Sequence, residues 1–394
     1  QALSASAMAV LSTEQVANLT TAQIEKLTTA QIAGLSSTQL GALTTDQAQK
    51  LTTSQLAALT VTQMKSLTTS DVAKLSTDQV RAITATALSG MTTSQVQALT
   101  SDQVKNMTTS QVAALTASQI KGMDVGDLNK MSTDQTRVLS ATAVAAMTTD
   151  QVAGLTTLQT SVLSAGAVAA LSSAQVVALT SDQAKSLTTS QVATLTAAQV
   201  KAMETLDLSK LTTDQVQALN VNAVTAMTTD QVANLTTAQV EKLTVSQVKA
   251  LTTAQVVALT TEQVQKLTTA QVDALSPTQV KAMETRDLAK LTTDQVRALT
   301  ANAVTSLTTD QVANLTVAQV EKLTTVQIQA LTTAHVVAMS TDQLQKLTTA
   351  QLGAFSATQA KALEVGDISK LSTDQVRALS AIAVAALSTA QVQA

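Results

Sequence analysis

The sequence predicts an all-α solenoid in which each eight-residue repeat forms one very short helix and slightly more than three repeats make a turn. Three observations support this fold class. An apolar residue recurs at every eighth position, each repeat carries the signature of a helix start, and neither one long helix nor one long strand accommodates the period. A β-solenoid is the alternative fold, although the high content of Ala, Gln and Leu disfavours it.

The repeat frame starts at Leu3 and advances by eight residues to Leu387. All 49 of these positions hold Leu, Met, Ile or Phe, and no insertion or deletion breaks the phase. With this apolar residue numbered zero, the consensus octad is Leu-Thr-Thr-x-Gln-Val-x-Ala. We therefore expect a single continuous repeat array over residues 1–394 rather than a set of globular domains.

Each octad begins with the pattern of a capping box. Ser or Thr at position one is followed three residues later by Gln, as in Thr260 and Gln263, so each side chain satisfies a backbone amide of the other residue. The flanking apolar residues, such as Leu259 and Val264, occupy the two positions of a hydrophobic staple. Pro277 fits the same frame, because it falls at the first helical position, where a missing N–H costs little.

The residues near each helix end, and the exceptions at position one, refine this expectation. Asn18, Gly34 and Asn234 occupy position seven, where a left-handed residue commonly ends a helix. At position one, Asp124 and Asn220 replace Ser or Thr and are expected to act as caps. Glutamates also occur at position one, where their charge suits a helix N-terminus: Glu204, Glu284 and Glu364.

Continuous elements do not fit a period of eight. In an uninterrupted α-helix the apolar stripe drifts by about 80° per octad, so no partner surface can follow it. In an uninterrupted strand, positions zero and five face opposite sides of the sheet. A single octad buries too little apolar surface to be stable, so each one must complete the core of its neighbours, as in a solenoid.

A longer period is superimposed on the octads. Aspartate replaces the position-four Gln at five markers separated by 56, 80, 80 and 80 residues: Asp71, Asp127, Asp207, Asp287 and Asp367. Two octads after each marker, Ala occupies the same position. If a turn contains slightly more than three octads, ten octads make three turns and seven make two. The octads that carry these departures, with their Lys and Arg residues, are then expected to return to nearly one face and to form an axial stripe of charge, and the 80-residue block to be a super-repeat.

Candidate functional residues are few. Four acidic pairs stand at positions one and four of marker octads: Asp124 with Asp127, Glu204 with Asp207, Glu284 with Asp287, and Glu364 with Asp367. Helix capping and the helix dipole explain these pairs, and calcium binding is the sharper hypothesis, although calcium takes six to eight oxygen ligands. His335 stands where Gln is expected, and a lone His makes no metal site. No cofactor and no catalytic group are predicted.

Composition further limits the functional classes of protein to which the chain can belong. Only 13% of residues are charged, the net charge is −3, and there is no Cys. No basic field favours nucleic acid, no disulfide framework is available, and no apolar run is long enough to span a membrane. The unbroken phase leaves no loop insertion in which an enzyme could build a site.

The octads themselves suggest a family. The segments 251–256 and 267–272, both Leu-Thr-Thr-Ala-Gln-Val, resemble the low-complexity LTTxQV octapeptide repeats of large bacterial secreted or surface proteins of the fibre or adhesin type. This resemblance covers essentially the whole chain. It implies export, an extracellular or cell-surface location, and a fibre, stalk or surface-layer role.

These observations lead to an expected function. A low-charge surface and the absence of polar capping repeats at either end of the sequence favour a structural filament, stalk or sheath. Its expected partner is a second copy of the chain, bound end to end or laterally. The alternative is a non-enzymatic scaffold that binds a glycan, a peptide or an ice surface on a repetitive Thr-rich face.

Overall fold

The computed structural model describes residues 3–394, and every regular element in that range is a helix of four to six residues. No strand occurs among those residues, so the β-solenoid alternative is wrong and the all-α solenoid is confirmed. The chain divides into two compact units, Gln1–Met203 and Glu204–Ala394. The eight-residue phase is the same in both units.

The helices of the first unit are α1 Ala5–Ala9, α2 Thr13–Ala17, α3 Thr21–Lys26, α4 Thr29–Ala33, α5 Ser37–Leu40, α6 Thr45–Gln49, α7 Thr53–Ala57, α8 Val61–Ser66, α9 Thr69–Lys74, α10 Thr77–Ala82, α11 Ala85–Ser89, α12 Thr93–Gln97, α13 Ser101–Asn106, α14 Thr109–Ala113, α15 Ala117–Gly122, α16 Val125–Lys130, α17 Thr133–Arg137, α18 Ala141–Ala145, α19 Thr149–Ala153, α20 Thr157–Val162, α21 Ala165–Ala169, α22 Ser173–Val177, α23 Ser181–Ser186, α24 Thr189–Ala193 and α25 Ala197–Ala202.

The helices of the second unit are α26 Thr205–Lys210, α27 Thr213–Ala218, α28 Val221–Ala226, α29 Thr229–Ala233, α30 Thr237–Lys242, α31 Val245–Ala250, α32 Thr253–Ala258, α33 Thr261–Lys266, α34 Thr269–Asp273, α35 Pro277–Ala282, α36 Thr285–Leu288, α37 Thr293–Ala298, α38 Ala301–Thr305, α39 Thr309–Ala313, α40 Val317–Lys322, α41 Thr325–Ala330, α42 Thr333–Ala338, α43 Thr341–Gln345, α44 Thr349–Gly353, α45 Ala357–Ala362, α46 Val365–Ile368, α47 Thr373–Ala378, α48 Ala381–Ala385 and α49 Thr389–Gln393.

The helix starts lie where the sequence predicts them. In α33, Thr260 is the N-cap in extended conformation, its hydroxyl accepts from the amide of Gln263, and the Gln263 side chain accepts from the amide of Thr260. Pro277 is the first residue of α35. Asn220 caps α28 by accepting from the amide of Ala223 at 2.9 Å. The local eight-residue pattern therefore sets the start of each helix.

The predicted left-handed helix ends are wrong. No residue with a positive φ occurs in the described range, and Gly34, Asn18 and Asn234 have φ of −76°, −88° and −96°. The chain turns instead through two consecutive extended residues at positions zero and one, such as Leu259 with φ −61° and Thr260 with φ −71°. The Asn18 amide is used differently, since its Nδ2 donates to the carbonyl of Glu14 at 2.9 Å.

Three helices make each turn. Within each unit a helix packs on the third helix after it, as α12 does on α15 and α29 does on α32. Side-chain contacts between turns join residues 25 to 31 apart, from Thr305 with Ala330 to Gln263 with Val232. Because Gln263 reaches both Leu235, three octads earlier, and Val232, four octads earlier, the turn contains slightly more than three octads, as predicted.

The core is built from two positions of each octad. Leu259 at position zero is 3% exposed and Val264 at position five is 1% exposed, and the same pattern repeats along both units. Methionines fill the same positions, including Met8 and Met64 at position five. No helix among the described residues combines the length and the apolar character needed to cross a membrane.

Candidate functional site

The most regular polar feature of the molecule is the position-four Gln. Gln263 is 1% exposed, and its Oε1 accepts from the N-cap amide of Thr260 at 2.8 Å. Its Nε2 donates towards three carbonyl oxygens of the preceding turn: Leu235 at 2.6 Å, Val232 at 3.0 Å and Ala233 at 3.2 Å. Since Nε2 carries two hydrogens, one of these hydrogens is shared between two oxygens. We call this arrangement the glutamine clasp.

The clasp satisfies groups on two turns with one side chain. It caps its own helix and donates hydrogen bonds to buried carbonyl oxygens one turn earlier. Each such hydrogen bond contributes about 1 kcal/mol net to the free energy of unfolding. The sequence predicts the capping half but not the second half, because the acceptors lie 28 to 31 residues away. One signal was available: a capping box accepts Glu as readily as Gln, yet no octad has Glu at position four. The consistent choice of Gln over Glu indicates that a donor is favoured there.

His335 reproduces the clasp with a different side chain. The amide of Thr332 donates to its Nδ1 at 3.2 Å, and its Nε2 lies 2.8 Å from the carbonyl oxygen of Leu307. Since Nδ1 accepts, the Nε2 atom carries the hydrogen and donates to Leu307. The prediction that His335 substitutes for Gln at a helix start is therefore confirmed by its contacts.

The marker aspartates make a different joint between turns. Asp287 accepts from the hydroxyl of Thr261 at 2.5 Å, and Asp71 accepts from Thr45 at 2.8 Å. The same bond joins Asp127 to Ser101 and Asp367 to Thr341. Aspartate is one methylene shorter than Gln and has no donor when ionised, so a hydroxyl from the preceding turn bonds to it instead of a carbonyl.

The marker aspartates are largely removed from solvent. The first four markers are 1% to 8% exposed, and the fifth is half-buried: Asp71, Asp127, Asp207, Asp287 and Asp367. These carboxylates therefore belong to the packing between turns. The stripe of charge expected from the deviant octads, and their alignment along one face, stay predictions.

The acidic residues at position one do not cap their helices. Asp124, Glu204, Glu284 and Glu364 are exposed and make no side-chain cap hydrogen bond. The prediction that Asp124 is a cap is wrong. In each of these octads a second carboxylate stands three residues later, in the first turn of the same helix. Like charges at this spacing repel each other, which disfavours placing both carboxylates at the amides of the helix N-terminus.

The calcium hypothesis gains no additional ligand from the fold. Within residues 3–394, no three side chains of His, Cys, Asp or Glu come together as a metal site. In the third pair, Arg286 lies 2.9 Å from Glu284 and 3.7 Å from Asp287. The Arg286 guanidinium thus already compensates the negative charge of the two carboxylates to which a calcium ion would bind. Calcium binding by the four pairs stays a prediction.

Ten matches to the family model described as the ALTTAQ repeat run along the chain. They cover residues 21–53, 72–109, 120–157, 161–189, 200–237, 235–261, 257–285, 280–317, 320–357 and 360–394, which is most of its length. The chain belongs to the ALTTAQ repeat family. The search of curated proteins found no match.

The core of the ALTTAQ array contains two polar exceptions that the fold explains. Thr136 and Thr160 occupy position five, where Val is usual, and both are 1% exposed. The Thr136 hydroxyl donates to the carbonyl of Ser132 at 2.9 Å, and the Thr160 hydroxyl donates to Thr156 at 3.0 Å. Each buried hydroxyl is thus satisfied within its own helix, so these residues are tolerated core substitutions rather than a site.

The described residues of the ALTTAQ array form surface cavities at residues 3–27 and 368–394. One of about 400 Å³ is lined mainly by apolar side chains between Ile368 and Ala394, and one of about 270 Å³ lies between Leu3 and Leu27. Their charged lining residues are Arg377 and Lys26. Neither cavity is lined by a carboxylate or a His, so neither brings together an acid and a base for catalysis.

Proposed function

We propose that this ALTTAQ array is a non-enzymatic structural protein, which forms an extracellular or cell-surface filament, stalk or sheath by stacking and self-association. The observation that carries the proposal is the direction of the glutamine clasp. Every clasp donates towards the preceding turn, as Gln263 does to Leu235 at 2.6 Å. One face of any turn therefore offers amide donors, and the opposite face offers carbonyl acceptors.

Two complementary faces on one body favour head-to-tail addition of copies, which yields an open fibre when the operation does not close. In the 394-residue chain, Gln15 and Gln23 are exposed, and their Oε1 atoms cap their own helices at 2.9 and 2.7 Å. A second copy added in the octad register would direct position-four Nε2 atoms of one face to position-zero carbonyls of the opposite face. Apolar side chains of normally buried positions are exposed at both faces, including Leu3 at 49% and Val384 at 44%.

Secretion is supported by the resemblance of the octads to repeats of large bacterial surface proteins. The scaffold alternative finds less support, because the position-one hydroxyls that a Thr-rich face would offer already accept from helix amides, as in Thr260 and Thr268. Because these polar groups make hydrogen bonds within the array, the array is better suited to act as a stalk than to bind a ligand.

Negative-stain electron microscopy of the purified chain, with circular dichroism on the same sample, tests the proposal. We expect uniform filaments with a helical spectrum at micromolar concentration. The double variant Gln15→Glu with Gln23→Glu keeps both caps but removes both donors, so it should form short rods. The matched control is Gln265→Glu, which places the same charge on an exposed side chain of α33.

Each result has a clear meaning. Filaments in the double variant as well would indicate lateral contacts and would exclude the head-to-tail mode. Discrete rods in every variant, up to high concentration, would contradict self-association and favour a monomeric scaffold.

A further inference from the structure

At each marker, one turn departs from the clasp pattern at two of its three position-four residues. In α36, α37 and α38 position four holds Asp287, Gln295 and Ala303. The same order of Asp, Gln and Ala recurs in the other four blocks: Asp71, Gln79 and Ala87; Asp127, Gln135 and Ala143; Asp207, Gln215 and Ala223; Asp367, Gln375 and Ala383. Because three helices make a turn, both departures fall within one turn.

The turn before it shows the normal joint. Gln263, Gln271 and Gln279 in α33, α34 and α35 each donate towards three carbonyl oxygens of the preceding turn. The shortest of these contacts measure 2.6, 2.7 and 2.7 Å. All three helices of this turn are thus fixed to the turn before it by buried polar contacts.

The joint below α36–α38 is weaker. Gln295 makes the one clasp there, with its shortest contact of 2.5 Å to Leu267. The carbonyls of Leu259 and Leu275, which a Gln in place of Asp287 or Ala303 would engage, receive no side-chain donor among the described residues. Two hydroxyl bonds partly compensate: Thr261 to Asp287 at 2.5 Å and Ser306 to the Pro277 carbonyl at 2.8 Å.

We propose that the boundary between α33–α35 and α36–α38 is a seam, at which the array opens before it opens elsewhere, and that such a seam recurs at Asp71, Asp127 and Asp367 within their units. A joint with one clasp has fewer buried hydrogen bonds to lose than a joint with three. The seams would give the array discrete points of opening, separated by stiff stretches. This inference concerns a single chain and does not depend on self-association.

Hydrogen–deuterium exchange of the full chain, followed by mass spectrometry, tests the seam. Helices of four to six residues do not hold without a turn to pack on, so opening of a joint exposes their amides. We expect amides of α36–α38 to exchange about tenfold faster, or more, than those of α33–α35. Ala303→Gln should restore a clasp to Leu275 and slow exchange at the seam about tenfold. The control Asn302→Gln places the same Gln side chain at the adjacent exposed position and should change nothing.

The reciprocal variant keeps the proposal testable if the buried Ala303 does not accept a larger side chain. Gln271→Ala removes one clasp from a normal turn and should accelerate exchange in α34 by about tenfold. Equal exchange of the two turns in the natural chain would overturn the seam. So would a Gln271→Ala chain whose α34 exchanges as slowly as before.

Discussion

The Nε2 atom of Gln263 lies 2.6 Å from the carbonyl oxygen of Leu235, one turn earlier in the array. The backbone bonds around it remain local, such as the one from the amide of Val264 to the carbonyl of Thr260 at 2.9 Å. A solenoid of such short helices has no backbone ladder between its turns, unlike a β-solenoid. Side-chain amides therefore provide its regular hydrogen bonding along the axis.

Replacing the amide of a position-four Gln by a carboxylate separates its two roles, capping its own helix and donating to the preceding turn. Gln263→Glu keeps an acceptor for the amide of Thr260 but turns a buried carboxylate towards carbonyl oxygens. We expect a local loss of about 3 kcal/mol, because an uncompensated buried charge costs that much. Thermal unfolding followed by circular dichroism, together with hydrogen exchange in α33, measures the effect.

The matched control for that variant is Gln265→Glu on the exposed face of the same helix. It should change the melting temperature little, since exposed substitutions stay within about 0.5 kcal/mol. Equal effects of the two variants would mean that charge alone, rather than loss of the clasp, is responsible.

The single His provides a direct test of donor direction. Since the amide of Thr332 donates to Nδ1 and Nε2 lies 2.8 Å from the carbonyl of Leu307, we expect the neutral ring to carry its hydrogen on Nε2. A long-range ¹H–¹⁵N spectrum of the only His in the chain reports this tautomer without ambiguity. A hydrogen on Nδ1 would contradict the clasp geometry at this position.

Stability of His335 variants should follow the same logic. His335→Gln restores the usual clasp and should be neutral or slightly stabilising. His335→Ala leaves the buried Leu307 carbonyl without a donor and should cost about 1–3 kcal/mol. Comparable melting temperatures for the two variants would show that the His makes no functional joint.

The sequence predicts what lies within one octad. Thr260, Gln263 and the first-turn Pro277 take their expected places because helix starts depend on residues three or four apart. The acceptor of the Gln263 amide and the hydroxyl partner of Asp287 could not be predicted, since both depend on how successive turns stack. The expected left-handed ends failed for a related reason: the path from one helix to the next is set by packing, not by Gly or Asn alone.

The polar core residues offer a stabilising substitution. Thr136→Val and Thr160→Val replace a hydroxyl that bonds only within its own helix by the methyl group found in most octads. We expect each variant to gain up to about 1 kcal/mol, because the hydroxyl is desolvated for a weak bond. The reverse change, Val232→Thr, should destabilise by a similar amount. Thermal melts of the three variants, compared with the natural chain, decide the sign.

The seams predict how the array yields under tension. If opening starts at the marker turns within each unit, force spectroscopy of a tethered chain should release segments spaced as those markers are, 56 residues from Asp71 to Asp127 and 80 residues from Asp287 to Asp367. An 80-residue block that becomes fully extended adds about 270 Å of contour length, at about 3.4 Å per residue. Adding Ala303→Gln and Asp287→Gln should raise the force of one event and leave the others unchanged. Octads that instead yielded one after another along a smooth plateau would mean that all joints are equally strong, and the marker residues would then have no mechanical role.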